Sequence, residues 1–117
     1  MKDIKSENFP DLLRGNTDAL LLFLVHELGH TYGYQLIKEI GRKSEGFFRF
    51  KEGTVYPALR KLENDGLLKG EWEQTPGGQE RRYYRITDKG LEALKNKLTV
   101  WESFYTAMNL ILKPAQS

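Results

Sequence analysis

A chain of 117 residues has room for one buried core and no second, and its formal net charge of +2 does not by itself mark a nucleic-acid binder. The absence of cysteine excludes a disulfide scaffold and thiolate metal sites and fits a reducing compartment. The first residues lack the apolar stretch of a secretion signal. The longest apolar run, Ala19 to Val25, is too short to span a bilayer, so a cytoplasmic protein with no membrane partner is expected.

The distribution of charge says more than its sum. Residues 32–61 hold seven basic side chains against three acidic ones, a local excess of +4, whereas residues 1–31 hold three basic against five acidic. A cationic middle third is what a nucleic-acid contact surface requires, although a solvated charged face has the same signature.

In chain order, Leu12, Leu13, Leu20, Leu21, Leu24, Val25 and Leu28 predict a mostly buried first helix, interrupted near Gly15 and capped in its main part by Thr17 or Asp18. Gly29 and Gly33 bracket a turn. A second helix is predicted from Gly33 to Arg42, with Leu36, Ile37 and Ile40 inward. A third runs from about Glu52 to Asp65 and puts Val55, Leu59 and Leu62 on one face at i, i+4 and i+7. Pro57 is expected within its first turns, where a missing N–H is tolerated, and Gly66 ends it.

The period then changes to that of strands. Leu67 to Glu73 and Arg81 to Thr87 predict a hairpin around the flexible residues 74–80, and a lone hairpin must pack on the helices. Thr87 or Asp88 caps a last helix that reaches Leu112 and stops at Pro114. On it Leu91, Leu94, Leu98, Trp101, Tyr105, Met108 and Leu112 are spaced 3, 4, 3, 4, 3, 4, a heptad seam. So small a domain has little to cover such a seam, which points to a homodimer, with part of the seam packing on the first helix of its own chain.

The fold class expected is therefore mainly α with one β-hairpin: a winged helix-turn-helix over residues 1–87, with residues 88–117 as a dimerisation helix of the same structural unit. In that architecture the third helix enters the major groove of duplex DNA and the wing grips the flanking backbone. Lys51, Thr54, Tyr56, Arg60 and Lys61 supply contacts from the third helix, Tyr34, Gln35 and Lys38 from the second, and Lys69, Arg81 and Arg82 from the wing. Tyr56 serves equally well as a core aromatic.

The sequence resembles the PadR-like transcriptional regulators. The resemblance rests on Tyr32-Gly33-Tyr34-Gln35-Leu36, on Lys51 to Leu59 with its Glu-Gly-Thr-x-Tyr-Pro run, on Leu62-Glu63-Asn64-Asp65-Gly66-Leu67, on Arg81 to Gly90, and on Trp101. It covers about residues 15–105 and is closest to the smaller subfamily with one C-terminal helix. It implies a homodimeric repressor of inverted-repeat operators, released by a small aromatic or hydrophobic effector. Trp101, with Phe104, Tyr105 and Met108, matches the place where such compounds bind at the dimer interface of some small members. A plain dimer-core role for Trp101 is the simpler reading.

One rival motif competes. His26-Glu27-Leu28-Gly29-His30 matches the His-Glu-x-x-His pattern of zinc proteases, with Glu27 as general base. Leu36 occupies the third-ligand position of the longer motif, the chain holds no other histidine, and 25 residues before His26 leave no room for the usual sheet. No catalytic residue, metal or cofactor is expected. A third reading, a winged helix used only for protein contacts, fits poorly with the +4 middle segment.

Overall fold

The structure is a computed structural model and describes residues 16–113. Leu12, Leu13 and Gly15 of the expected first helix, and Pro114 after the last, lie outside the described residues. Among the described residues the order is α1 (Thr17–Leu28), β1 (Thr31–Tyr32), α2 (Gly33–Lys43), α3 (Glu52–Asn64), β2 (Leu68–Gln74), β3 (Glu80–Ile86) and α4 (Asp88–Leu112).

α1 buries Leu21, Leu22, Leu24 and Val25, a spread too wide for one narrow stripe, because it packs against α2, α3, β3 and α4 at once. It ends where Gly29 turns to φ +78°, a conformation that an L side chain adopts only under strain. α2 shows a clean division, with Leu36 and Ile40 buried and Lys38, Arg42 and Lys43 outside. α3 buries Val55, Leu59 and Leu62, the stripe expected from their spacing. Pro57 is the sixth residue of α3, within its first two turns as expected, and the carbonyl of Gly53 has no proline N–H to accept from. These faces meet Phe50, Leu68, Tyr84 and Leu94 in a single core.

The wing has three strands, not two. Thr31 and Tyr32, expected in a turn, pair antiparallel with Tyr84 and Tyr83, giving the order β1-β3-β2. A two-residue strand has no alternation to read, so only its partner reveals it. β2 and β3 pair from Leu68↔Ile86 to Gln74↔Glu80. The alternation puts Leu68, Gly70 and Trp72 with Ile86, Tyr84 and Arg82 on the face toward α3. Lys69, Glu71 and Glu73 with Arg85, Tyr83 and Arg81 occupy the other.

Thr87 caps α4, its hydroxyl oxygen accepting from the Gly90 N–H at 2.9 Å. The 25 residues of α4 extend about 37 Å. Only the first turns are covered: Gly90 and Leu94 are buried and Leu91 half-buried, while every described residue from Leu98 onward is exposed. Among the described residues the seam thus divides, its first third packed on α1 and the rest exposed. No helix among the described residues is long and apolar enough to cross a membrane.

Candidate nucleic-acid interface

Three elements converge on one face. α3 presents Thr54, Tyr56, Arg60 and Lys61 to solvent, because its apolar stripe is committed to the core. Lys51 stands exposed at its N-cap, where its carbonyl accepts from the N–H groups of Thr54 and Val55. The start of α2 places Tyr34 and Lys38 beside it, with the Lys38 ammonium 5.6 Å from the Tyr34 ring centre. Between α3, the start of α2 and the wing lies a cleft of about 730 Å³, bounded by Tyr34, Tyr56, Arg60, Trp72, Arg81 and Arg82 among others.

The cations divide by their partners. Lys38, Lys51, Arg60 and Lys61 are exposed. Arg81 lies 4.1 Å over the Tyr32 ring and lines the cleft. Lys69 is on the opposite sheet face, its ammonium 3.4 Å from Glu71. Arg82 faces α3 and is engaged by Glu63. Gln35 is half-buried, and its side-chain oxygen accepts from the hydroxyl of fully buried Thr31 at 2.6 Å. The eleven residues expected from the sequence as contacts are therefore not one surface: Tyr34, Tyr56, Arg60, Arg81 and Arg82 line the cleft, while Lys69 points away from it.

Tyr56 is 40% exposed and lies outside the buried core. Its ring packs over Gly33 while its edge stays in the cleft. Partial burial, and then the Glu52 carboxylate, raise its hydroxyl above the usual tyrosine range, with Arg81 opposing. Tyr84, buried beneath the cleft, is raised for the same first reason and next by Glu63, against the pull of Arg82.

Trp72 was not among the residues picked from the sequence. It is 63% exposed, lines the cleft and lies cross-strand from Arg82. The available signal was its alternation: it shares a strand face with Leu68, two pairs from the core. Asn64, one turn beyond Arg60 on α3, lines the same cleft.

The outer sheet face holds an aromatic ladder. The His30 ring stacks on Tyr83 with centroids 4.2 Å apart, Tyr83 meets Tyr32 edge-on, and His30 Nε2 lies 2.8 Å from Glu73 Oε2. This placement bears on the His-Glu-x-x-His motif. Because the helix stops at Leu28, His30 leaves it and turns to the wing instead of sharing a helix face with His26. Among the described residues no group of three or more His, Cys, Asp or Glu side chains is placed to hold a metal.

On α4, Trp101 and Tyr105 stack with rings 5.3 Å apart and stand 50% and 54% exposed, next to exposed Phe104 and Met108.

Comparison with known proteins agrees with this geometry. The structure of a transcriptional regulator from Clostridium thermocellum matches with a TM-score of 0.78 at 33% identity, covering 87% of this chain and 98% of that one. A transcriptional regulator of Mycobacterium tuberculosis is 37% identical over 78 residues, 65% of this chain and 69% of that protein. Bacillus subtilis PadR in complex with operator DNA shares the fold with a TM-score of 0.64 at 24% identity, over 70% of this chain and 46% of that one. The model of the transcriptional regulator PadR-like family matches residues 21–96, the span from the middle of α1 to the first turns of α4. The chain belongs to the PadR-like family of transcriptional regulators.

Proposed function

We propose that this chain binds duplex DNA as a homodimer and represses transcription from an inverted-repeat operator. The observation that carries the DNA reading is the solvent face of α3, where Thr54, Tyr56, Arg60 and Lys61 stand clear of the core beside a cleft walled by the wing. Cations there neutralise phosphates and release counterions, and the polar side chains between them reach base edges. The fold shared with a protein captured on operator DNA supports the same reading.

The homodimer rests on α4. From Leu98 to Leu112 its large apolar side chains are exposed among the described residues, and Leu98, Trp101, Tyr105, Met108 and Leu112 continue the seam that Leu94 begins. Two recognition helices related by a two-fold axis would enter successive major grooves, about 10–10.5 bp apart. Release by a flat aromatic or hydrophobic effector is proposed at Trp101, Phe104, Tyr105 and Met108, since a stacked aromatic pair offers such a molecule a plane to extend.

A gel-shift titration of the chain with its own promoter region tests the function. Retardation that weakens steeply from about 50 to 200 mM salt is expected. Absence of retardation at low salt would overturn it. Quenching of tryptophan emission by a panel of flat aromatic compounds, with the dimer intact, tests the effector site.

A further inference from the structure

The wing is joined to the end of α3 by only Asp65, Gly66 and Leu67, and its base is held by buried Leu68 and Tyr84. Further out, one side-chain bridge reaches back to α3. Arg82 Nη2 donates to Glu63 Oε2, and Arg82 Nε lies 3.4 Å from Glu63 Oε1, so the guanidinium fork meets the carboxylate edge to edge. Both side chains are mostly covered, at 29% and 24% exposure.

The surroundings are shaped to the pair. A β-carbon on residue 70 would stand 2.9 Å from both Arg82 Nε and Glu63 Oε1, so only glycine leaves the bridge its room. The guanidinium carbon also lies 5.5 Å from the centre of the Trp72 ring. With its Nε–Nη2 edge given to the Glu63 carboxylate, the guanidinium cannot offer that fork to a phosphate.

We propose that Glu63 and Arg82 are a positioning pair that sets the distance between recognition helix and wing, and that Arg82 acts on DNA affinity through this bridge and not as a phosphate ligand. The proposal rests on the DNA-binding reading of α3. It departs from simple electrostatics in a way that can be measured. Near a polyanion, removing the Glu63 carboxylate should tighten binding by Coulomb's law alone. If the carboxylate holds the wing in place, removing it loosens binding. Replacing Arg82 by lysine keeps the charge but loses the fork, so a phosphate contact would survive and the bridge would not.

The test uses the full chain and a duplex enriched by the wild-type protein from a random DNA library. Affinity is measured across a salt series for wild type, Arg60→Ala, Glu63→Gln, Arg82→Lys and the double variant Glu63→Gln/Arg82→Lys. Circular dichroism at the assay temperature checks folding; if Glu63→Gln is unfolded, Glu63→Asp, which shortens the bridge, takes its place. The positioning role predicts that Glu63→Gln and Arg82→Lys each weaken binding by about tenfold, and that the double variant is no worse than either single one. Their salt slopes should match wild type, whereas Arg60→Ala should lower the slope by about 0.9. Binding by Glu63→Gln as tight as wild type or tighter, or wild-type affinity in Arg82→Lys, overturns the positioning role alone. If wild type enriches no duplex, the DNA-binding reading falls and the positioning role falls with it.

Discussion

The ring of Tyr56 occupies the place where a side chain on residue 33 would begin: a β-carbon there would lie 2.2 Å from Tyr56 Cε1. The first residue of α2 and the fifth of α3 are thereby fitted together at the edge of the cleft.

Three glycines at helical positions should respond differently to alanine. Gly53 has nothing within 4 Å of a built β-carbon, so Gly53→Ala should stabilise by up to about 1 kcal/mol. Gly33→Ala meets a tyrosine ring that can swing toward solvent, and should destabilise by about 1–3 kcal/mol. Gly90→Ala meets the backbone oxygen of Leu67 at 2.1 Å, which no side-chain rotation relieves, and should be the worst of the three. Urea unfolding of the three variants at one protein concentration gives the order. A destabilised Gly53→Ala, or a Gly90→Ala milder than Gly33→Ala, would contradict it.

The exposed and covered parts of α4 should separate stability from assembly. Leu94 is 4% exposed, so Leu94→Ala should cost about 2–5 kcal/mol through lost packing and a cavity. A Trp101→Lys/Tyr105→Lys variant should keep its helical circular dichroism and sediment as a monomer where the wild type sediments as a dimer. A wild type that stays monomeric at high concentration would remove the proposed seam.

Alanine at both Arg60 and Lys61 should leave the fold intact, since both side chains are exposed. If each contacts one phosphate, the slope of log affinity against log salt should shrink by about 1.8, with a marked loss of affinity at physiological salt. Equal binding by variant and wild type would show that α3 is not the contact helix.

Alkaline pH should weaken the fold through Tyr84. Burial raises its hydroxyl above the usual value of 10.0, so the native state holds the proton more tightly than the unfolded chain. The resulting stability is complete below pH 10.0 and is lost as pH rises through the folded value. The melting temperature of wild type should therefore fall across that window. Tyr84→Phe should fall less steeply, the remainder coming in part from Tyr56, whose shift has the same sign. Parallel curves for the two proteins would rule out Tyr84 as a source.

Much of the fold was legible because it is written in local periodicity. The 3.6-residue stripe of α3, the glycine stop at Gly29 and the Thr87 cap are each carried by residues near one another in the chain, and each appears where it was expected. The same reading missed Trp72, whose place beside the cleft depends on which face of β2 meets α3.

Arg81 and Arg82 show where local pattern stops. In sequence they are neighbours of one type and were read as equivalent phosphate contacts. Pleating sends them to opposite sheet faces, and the packing of the sheet on α3 then gives one an aromatic ring and the other a carboxylate. Likewise β1 exists only through its pairing with β3, and the cover over the first turns of α4 comes from its packing on α1. Spacing along the chain decides which side chains share a face. What that face meets depends on contacts between distant segments, and only the assembled tertiary structure supplies them.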